Sequence, residues 1–158
     1  MAPTLGSRRQ AREVALQILY QLDVQEQLSD EQAVALFWKN LAAQLEDKEG
    51  SPEGLDGAHR AYAEQLVRGV RANLADIDAL IGQSSRNWRL ERMARVDRNL
   101  LRLAVYELKY EADVPAKAAI NEAIEIAKRF GTAESPAFIN GILDKCLVDL
   151  GGAERSRS

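Results

Sequence analysis

The stretch VDRNLLRLAVYEL, residues 96–108, decides the fold class of this 158-residue chain. Its apolar residues recur every three or four positions, which is the period of one face of an α-helix. Asp97 precedes this apolar face as a candidate N-cap, so we predict a central helix from Asp97 to about Glu111. The same period recurs in almost every other window, and no stretch alternates as a half-buried strand would. The sequence therefore predicts an all-α protein.

Capping residues and helix breakers divide the chain into predicted helices. Ser7 is a candidate N-cap, the Pro115 region opens a helix, and Gly131 is a candidate C-cap. The predicted helical stretches are 8–26, 30–47, 58–84 with a candidate break near Asn73, a short turn at 88–94, 97–111, 115–130, and a last helix from Ser135. Residues 48–57 (KEGSPEGLDG) are expected to form a flexible loop. We expect one domain over residues 1–150, with sub-bundles of about 7–85 and 86–150, and a disordered tail at 151–158.

Composition excludes several classes of protein. The longest apolar stretch, Ala33–Trp38, is far shorter than the ~20 residues of a membrane span, and no export leader is visible at the amino terminus. We therefore expect a cytoplasmic protein. One cysteine and one histidine cannot form a disulfide or a His-rich metal site. No phosphate-binding loop, zinc motif or nucleophile elbow is present, so we expect no cofactor and no enzymatic activity.

The charge is unevenly distributed, although the net charge is only −3. Residues 8–12 contain three arginines and no acid, and residues 86–102 contain six arginines and two acids. Residues 26–64 contain nine acidic and three basic residues. A chain with such polarity can bind a polyanion on one side, although solvated helix faces would give the same pattern.

The arginines of the first helix are the more informative cluster. Arg8, Arg9 and Arg12 oppose the helix dipole, which is unfavourable unless an anion binds there. Arg9 and Tyr20 lie 11 residues apart, which places them within about 20° of each other and roughly 16 Å apart along the helix. Arginine binds phosphate and an aromatic ring stacks on an unpaired base, so this face suits single-stranded nucleic acid. Alternatively, Tyr20 packs at the edge of the core.

The second arginine cluster is harder to interpret. Arg98, Arg102, Tyr106 and Lys109 align on one side of the central helix. We interpret them as a solvated edge of an otherwise buried helix, with the arginine stems covering apolar surface. Cys146 lies on the apolar stripe of the last helix, so we expect it in the core.

Three blocks of the chain resemble the NusB family of transcription antitermination factors. They are SRRQAREVALQILYQLDV (7–24), VDRNLLRLAVYEL (96–108) and DVPAKAAINEAIEIAKRFGTAESPAFINGILDK (113–145). The resemblance implies about seven helices in two packed bundles and no catalysis. It also implies binding to the single-stranded boxA element of ribosomal RNA transcripts together with the ribosomal protein NusE. That complex joins RNA polymerase and other Nus factors.

The resemblance carries functional roles onto particular residues. It implies that the RNA surface consists of Arg8, Arg9, Arg12, Tyr20, Phe130, Gly131, Glu134 and Phe138. It places Asp97, and less directly Glu91, at the contact with NusE. Three residues depart from the family pattern and each removes a candidate RNA contact: Gln10, Ala116 and Ala137. We therefore expect modest RNA affinity without the protein partner.

Two alternatives stay open at this point. The chain could be a stand-alone helical interaction module that buries its arginines in a homodimer. It also resembles the amino-terminal domain of a ribosomal RNA cytosine methyltransferase, but that enzyme needs a further cofactor-binding domain with catalytic cysteines, which we do not expect in a chain ending at Ser158.

Overall fold

The computed structural model describes residues 7–46, 57–86 and 88–151. Over these residues it contains seven α-helices, one 3₁₀ turn and no strand, which confirms the all-α prediction. The helices are α1 (Arg8–Val24), α2 (Asp30–Glu46), α3 (Gly57–Ala72), α4 (Leu74–Ser84), α5 (Arg95–Tyr110), α6 (Ala116–Phe130) and α7 (Ser135–Asp149), with the 3₁₀ turn at Leu90–Arg92. The expected loop at 48–57, apart from Gly57, and the expected tail from residue 152 lie outside the described residues.

The chain divides into two compact units, one ending at Arg71 and the other beginning at Ala72. The division falls where α3 ends and α4 begins, beside the candidate break at Asn73, whereas the sequence interpretation placed it near residue 85. The reason is that α4 packs against α5 and α7 and therefore belongs with them.

The first unit contains α1, α2 and α3. Ser7 caps α1 as predicted, because its hydroxyl accepts a hydrogen bond from the Gln10 N–H at 3.1 Å. Ion pairs connect the start of α2 to α3: Arg71 donates to Asp30 at 3.0 Å, and Arg68 donates to Glu31 at 3.1 Å. Apolar residues of α1 and α3 supply most of the buried surface of this unit: Val14, Leu16, Ile18, Leu19, Leu22, Leu66, Val67 and Val70.

The second unit is built around α5, which packs against α4, α6 and α7. The prediction of a strongly apolar central helix is confirmed, since Leu100, Leu101 and Leu108 are at most 1% exposed. Its start was predicted two residues too late. Ala94 occupies the N-cap position, so Asp97 lies inside the first turn and does not cap the helix.

The interpretation of Arg98, Arg102 and Tyr106 as a solvated edge of α5 is wrong. Arg102 makes a two-pronged ion pair with Asp78 of α4, at 2.8 and 2.9 Å, and its side chain is only 13% exposed. Arg98 is buried and donates to the carbonyl oxygen of Leu90 at 2.9 Å. Tyr106 is buried as well, so Lys109 alone of the four is exposed. Helix α4 and the 3₁₀ turn therefore cover this side of α5.

The last helix carries the cysteine in its buried face. Cys146 has no exposed surface, which confirms the expectation that it is a core residue. Burial raises the pKa of its thiol, so the group stays protonated and unreactive in the folded protein. In the described part of the chain, no helix is both long and apolar enough to cross a membrane.

Candidate nucleic-acid interface

The amino-terminal end of α1 presents two arginines to solvent. Arg8 and Arg9 are both exposed, and no acidic residue lies in the first turn of the helix. The guanidinium of Arg8 lies 4.2 Å from the centre of the Tyr62 ring, which holds the cation by a cation–π interaction. The positive end of the helix dipole adds to these charges, so this end of α1 attracts anions.

Arg12 differs from its two neighbours. Its side chain is only 6% exposed, and its guanidinium lies 6.0 Å from the centre of the same Tyr62 ring. The sequence interpretation treated all three arginines as facing phosphate. The structure differs for Arg12, because its side chain is buried. Tyr62 itself was not identified from the sequence, although it lies on the apolar stripe of α3 that contains Leu66 and Val70.

Tyr20 lies further along α1 and is 40% exposed, which is high for a tyrosine on a helix with an extensive buried face. Arg9 is exposed as well, as the 11-residue spacing predicts for two residues on one face. An exposure of 40% fits both a ring at the edge of the core and a ring that stacks on a base. An exposed ring and an exposed guanidinium on one helix face can take a base and a phosphate of one strand.

In the second unit, the connection between α6 and α7 contains Phe130, Gly131 and Glu134. Gly131 is the C-cap of α6 as predicted, but its backbone is extended (φ −98°, ψ −162°) and not left-handed. Glycine is required here because there is no room for a side chain. A Cβ at this position would lie 2.5 Å from the Ser135 Oγ and 3.0 Å from the Ala127 carbonyl oxygen. The close approach brings the end of α6 directly against the start of α7.

Hydrogen bonds hold this connection in one conformation. The buried Ser135 accepts a hydrogen bond from the Thr132 N–H at 2.9 Å. The Thr132 hydroxyl donates to the exposed carboxylate of Glu134 at 3.3 Å. Phe130 is half-buried, and the Arg129 guanidinium lies 5.3 Å from its ring centre. The Arg129 guanidinium and the Phe130 ring therefore lie beside this hydrogen-bonded turn.

Phe138 lies one turn into α7 and is half-buried. Its ring meets the Trp88 ring edge to face, with ring centres 5.5 Å apart and the planes at 83°. Trp88 is 52% exposed and was not identified from the sequence as a functional residue. The sequence feature that could have identified Trp88 is the presence of a tryptophan in the arginine-rich connection between α4 and α5.

The two acidic residues assigned to a protein partner lie close together in the chain of the second unit. Glu91 is exposed in the 3₁₀ turn, and its carboxylate lies 3.8 Å from Arg89. Asp97 is half-buried in the first turn of α5, and its Oδ1 is buried without a hydrogen-bond partner among the described residues. Over the same residues, no group of three or more His, Cys, Asp or Glu side chains could hold a metal ion.

Comparison with known proteins gives one consistent result. The model of the NusB family matches residues 9–147. A transcription antitermination protein NusB of Syntrophotalea carbinolica is 50% identical over 147 residues, covering 89% of this chain and 91% of that protein. The corresponding protein of Sorangium cellulosum is 44% identical over 153 residues, covering 97% of this chain and 100% of that protein.

Two solved structures have a fold similar to that of this chain. A crystal form of T. maritima NusB superimposes with a TM-score of 0.79 at 36% identity, covering 96% of this chain and 98% of that one. A structure of antitermination factors NusB and NusE in complex with double-stranded RNA has a TM-score of 0.71 at 23% identity, covering 90% and 96% of the two chains. At that identity, the second likeness shows the shared fold alone.

Proposed function

This chain belongs to the NusB family of transcription antitermination proteins, and we propose that it binds single-stranded boxA RNA of ribosomal RNA transcripts together with the ribosomal protein NusE. Members of the family are non-catalytic, so the protein is an antitermination factor and not an enzyme. In the proposed role, it acts in the cytoplasm and joins RNA polymerase with other Nus factors.

The observation that carries this proposal is the exposed arginine–tyrosine face of α1. Arg8 and Arg9 would pair with phosphates, and the Tyr20 ring would stack on a base. Arg12, buried beside Tyr62, would add positive potential beneath the same surface. Because phosphate pairing positions a strand and contacts to bases select it, this combination suits an RNA that is recognised unpaired.

The turn between α6 and α7 contains the residues of the second unit that we propose to contact RNA. The rings of Phe130 and Phe138 are half-buried, so a sugar or base can pack against their exposed parts. The glycine at 131 lets the end of α6 lie against the start of α7, which positions the turn. The Glu134 carboxylate can accept a hydrogen bond from a base amino group. The hydrogen bonds of Ser135 and Thr132 keep the turn in place before RNA arrives, which lowers the entropy lost on binding.

Asp97 and Glu91 are the proposed contacts for NusE. The exposed carboxylate of Glu91 and the half-buried carboxylate of Asp97 support this role, because a basic group of a partner can pair with acidic side chains in one short segment of the chain. A solved structure of the same fold contains NusB and NusE together.

The test is fluorescence anisotropy of a labelled boxA-type RNA against a scrambled strand, with and without NusE. We expect preference for the boxA strand and tighter binding when NusE is present. Tyr20→Ala should weaken binding roughly 5- to 150-fold, the range for the loss of one stacked base. Arg8→Gln with Arg9→Gln should reduce the slope of log affinity against log salt by about 1.4, the value for two phosphates on a single strand.

The matched control is Lys39→Gln, which removes an exposed cation from α2 and should leave the RNA affinity unchanged. Equal, weak binding to both strands in both conditions would contradict the proposal. The alternative of an arginine-burying homodimer predicts a different outcome, namely that Arg9→Ala with Arg12→Ala produces monomers in sedimentation without any change in RNA binding.

A further inference from the structure

We infer that Tyr62 is a positioning residue of the proposed RNA surface on α1, whose ring holds the Arg8 guanidinium in place for a phosphate of the RNA. Tyr62 does not itself contact the RNA. The inference rests on the proposed function, because it explains how one of the proposed phosphate contacts is prepared before RNA binds. All residues that carry it lie in the first unit.

Tyr62 is an aromatic residue in an otherwise aliphatic core. It begins a buried stripe of α3 that continues with Leu66 and Val70. Among the buried apolar side chains that the structure describes in the first unit, Tyr62 is the one aromatic residue. An aliphatic side chain would continue the stripe, whereas only an aromatic ring offers a negative face to a cation. The packing of α3 therefore does not by itself account for a tyrosine at this position.

Two cations of α1 lie at the Tyr62 ring. The Arg8 guanidinium lies 4.2 Å from the ring centre, and that of Arg12 lies 6.0 Å from it, at the limit of cation–π attraction. Because Tyr62 is only 8% exposed, a base has no room to stack on its ring. The ring can therefore affect RNA binding only through the arginines that it contacts.

Arg8 needs such a contact to stay where a phosphate can use it. It is the first residue of α1, where a cation is unfavourable because the helix dipole is positive at this end. An exposed arginine held by no contact samples many rotamers, and this freedom is lost when it pairs with a ligand. The Tyr62 ring offsets the repulsion and limits the rotamers. The entropy of ordering Arg8 is then lost on folding and not on RNA binding.

Contact with a ring also leaves the guanidinium able to bind a phosphate. Elsewhere in this unit, Arg68 donates to Glu31 at 3.1 Å and Arg71 donates to Asp30 at 3.0 Å, so carboxylates take donors of these arginines. A guanidinium has five N–H donors, and the face of a ring does not accept them as carboxylate oxygens do. Arg8 thus combines a fixed position with donors that remain available for phosphate oxygens.

RNA affinity measured over a range of salt concentrations tests this role. Tyr62→Leu should weaken binding of a boxA-type RNA roughly 2- to 13-fold, the factor for ordering one long side chain on binding. The slope of log affinity against log salt should stay unchanged, because Arg8 still pairs with its phosphate. Arg8→Gln should instead reduce that slope by about 0.7, the value for one phosphate on a single strand. Tyr62→Phe keeps the face of the ring and should restore the affinity.

A double-mutant cycle distinguishes positioning from a general loss of structure. In the Arg8→Gln background, Tyr62→Leu should cause little further loss of RNA affinity, because the side chain that the ring positions is already gone. The matched control is Trp38→Leu, which removes another ring of the first unit that carries an arginine, with Arg60 4.3 Å from its centre. This control should leave RNA affinity unchanged. An equal loss in both backgrounds, or the same loss in the control, would overturn the inference.

NMR relaxation of the Arg8 side chain measures its ordering directly. The order parameter of the Arg8 Nε–H bond should be high in the free protein, unchanged by RNA, and lower in Tyr62→Leu. An order parameter that is low in the free protein and rises when RNA binds would overturn the inference. Because this measurement uses the unchanged protein, it keeps the test decisive if circular dichroism melting shows that Tyr62→Leu does not fold.

The outcomes separate this inference from the proposed function. Preferential boxA binding that Tyr62→Leu leaves unchanged would overturn the inference and leave the proposed function standing. A salt slope that falls as much in Tyr62→Leu as in Arg8→Gln would also overturn it, because the phosphate contact itself would then be lost with the ring. Absence of any boxA binding by the unchanged protein would overturn both proposals.

Discussion

Replacing Gly131 with alanine should destabilise the protein by about 1–3 kcal/mol, the usual cost of overpacking a well-packed site. The new Cβ would lie 2.5 Å from the Ser135 Oγ, 2.6 Å from the Ser135 Cβ and 3.0 Å from the Ala127 carbonyl oxygen. Ser135 is only 1% exposed, and its Oγ accepts the Thr132 N–H, so it cannot move aside without losing that bond. The extended backbone of Gly131 suits any residue, so the cost is steric and not conformational.

A matched control lies in the same unit. Gly141 occupies the interior of α7, and a Cβ there would meet no atom within 4 Å. The same substitution, Gly141→Ala, should therefore stabilise the protein by about 0.5–1 kcal/mol, the difference in helix propensity between the two residues. The two variants carry one additional methyl group each, so any difference between them reports the local surroundings of that group.

Equilibrium unfolding in urea measures both effects, and the melting temperature should move by about 2–4 °C per kcal/mol for a chain of this length. Combining Gly131→Ala with Ser135→Gly removes the clashing side chain, and the double variant should be more stable than the sum of the two single changes predicts. Stability of Gly131→Ala equal to that of the unchanged protein, or strict additivity in the double variant, would refute the steric explanation.

Three further predictions concern the second unit. Asp78→Asn should cost about 1–3 kcal/mol in urea unfolding, because it leaves the shielded Arg102 guanidinium without its charged partner; a change within experimental error would show that the pair is dispensable. The Ser84 hydroxyl donates a hydrogen bond to Asp149 and holds the pKa of that carboxyl below its usual value, so the carboxylate contributes stability above pH ~4 that is lost as the pH falls further. Ser84→Ala should raise the pKa of Asp149 in an NMR titration, and an unchanged pKa would contradict the assignment. Cys146 should not react with a thiol reagent at pH 8 until the protein unfolds, and rapid labelling of the folded protein would contradict its burial.

Local sequence signals were sufficient for the helices and for the exposed part of the α1 surface. The Ser7 cap and the end of α6 at Gly131 follow from residue chemistry within one helical turn, and both are confirmed. The start of α5 was misplaced because Asp97 has the side chain of an N-cap but stands in the first turn. Competing local signals of this kind shift a boundary by a residue or two without changing the helix.

The division of the arginines into buried and exposed groups could not be predicted in the same way. Periodicity shows which residues share a face of a helix, but not which face a distant segment will cover. Arg102 is covered because Asp78 lies 24 residues earlier on another helix. The exposure of Arg86 and Arg89 likewise depends on how the connection between α4 and α5 lies on the surface.

The sequence by itself determined the all-α class, the approximate helix boundaries, the family, and the pairing of Arg9 with Tyr20 on one face. These features depend on contacts between residues close in the chain, which the order of amino acids encodes directly. Only the tertiary structure decided that Arg12 lies buried beside Tyr62, 50 residues away, and that Trp88 stands exposed against Phe138. Those outcomes depend on packing between distant segments, because the solvent exposure of a side chain is a property of everything that surrounds it in the fold.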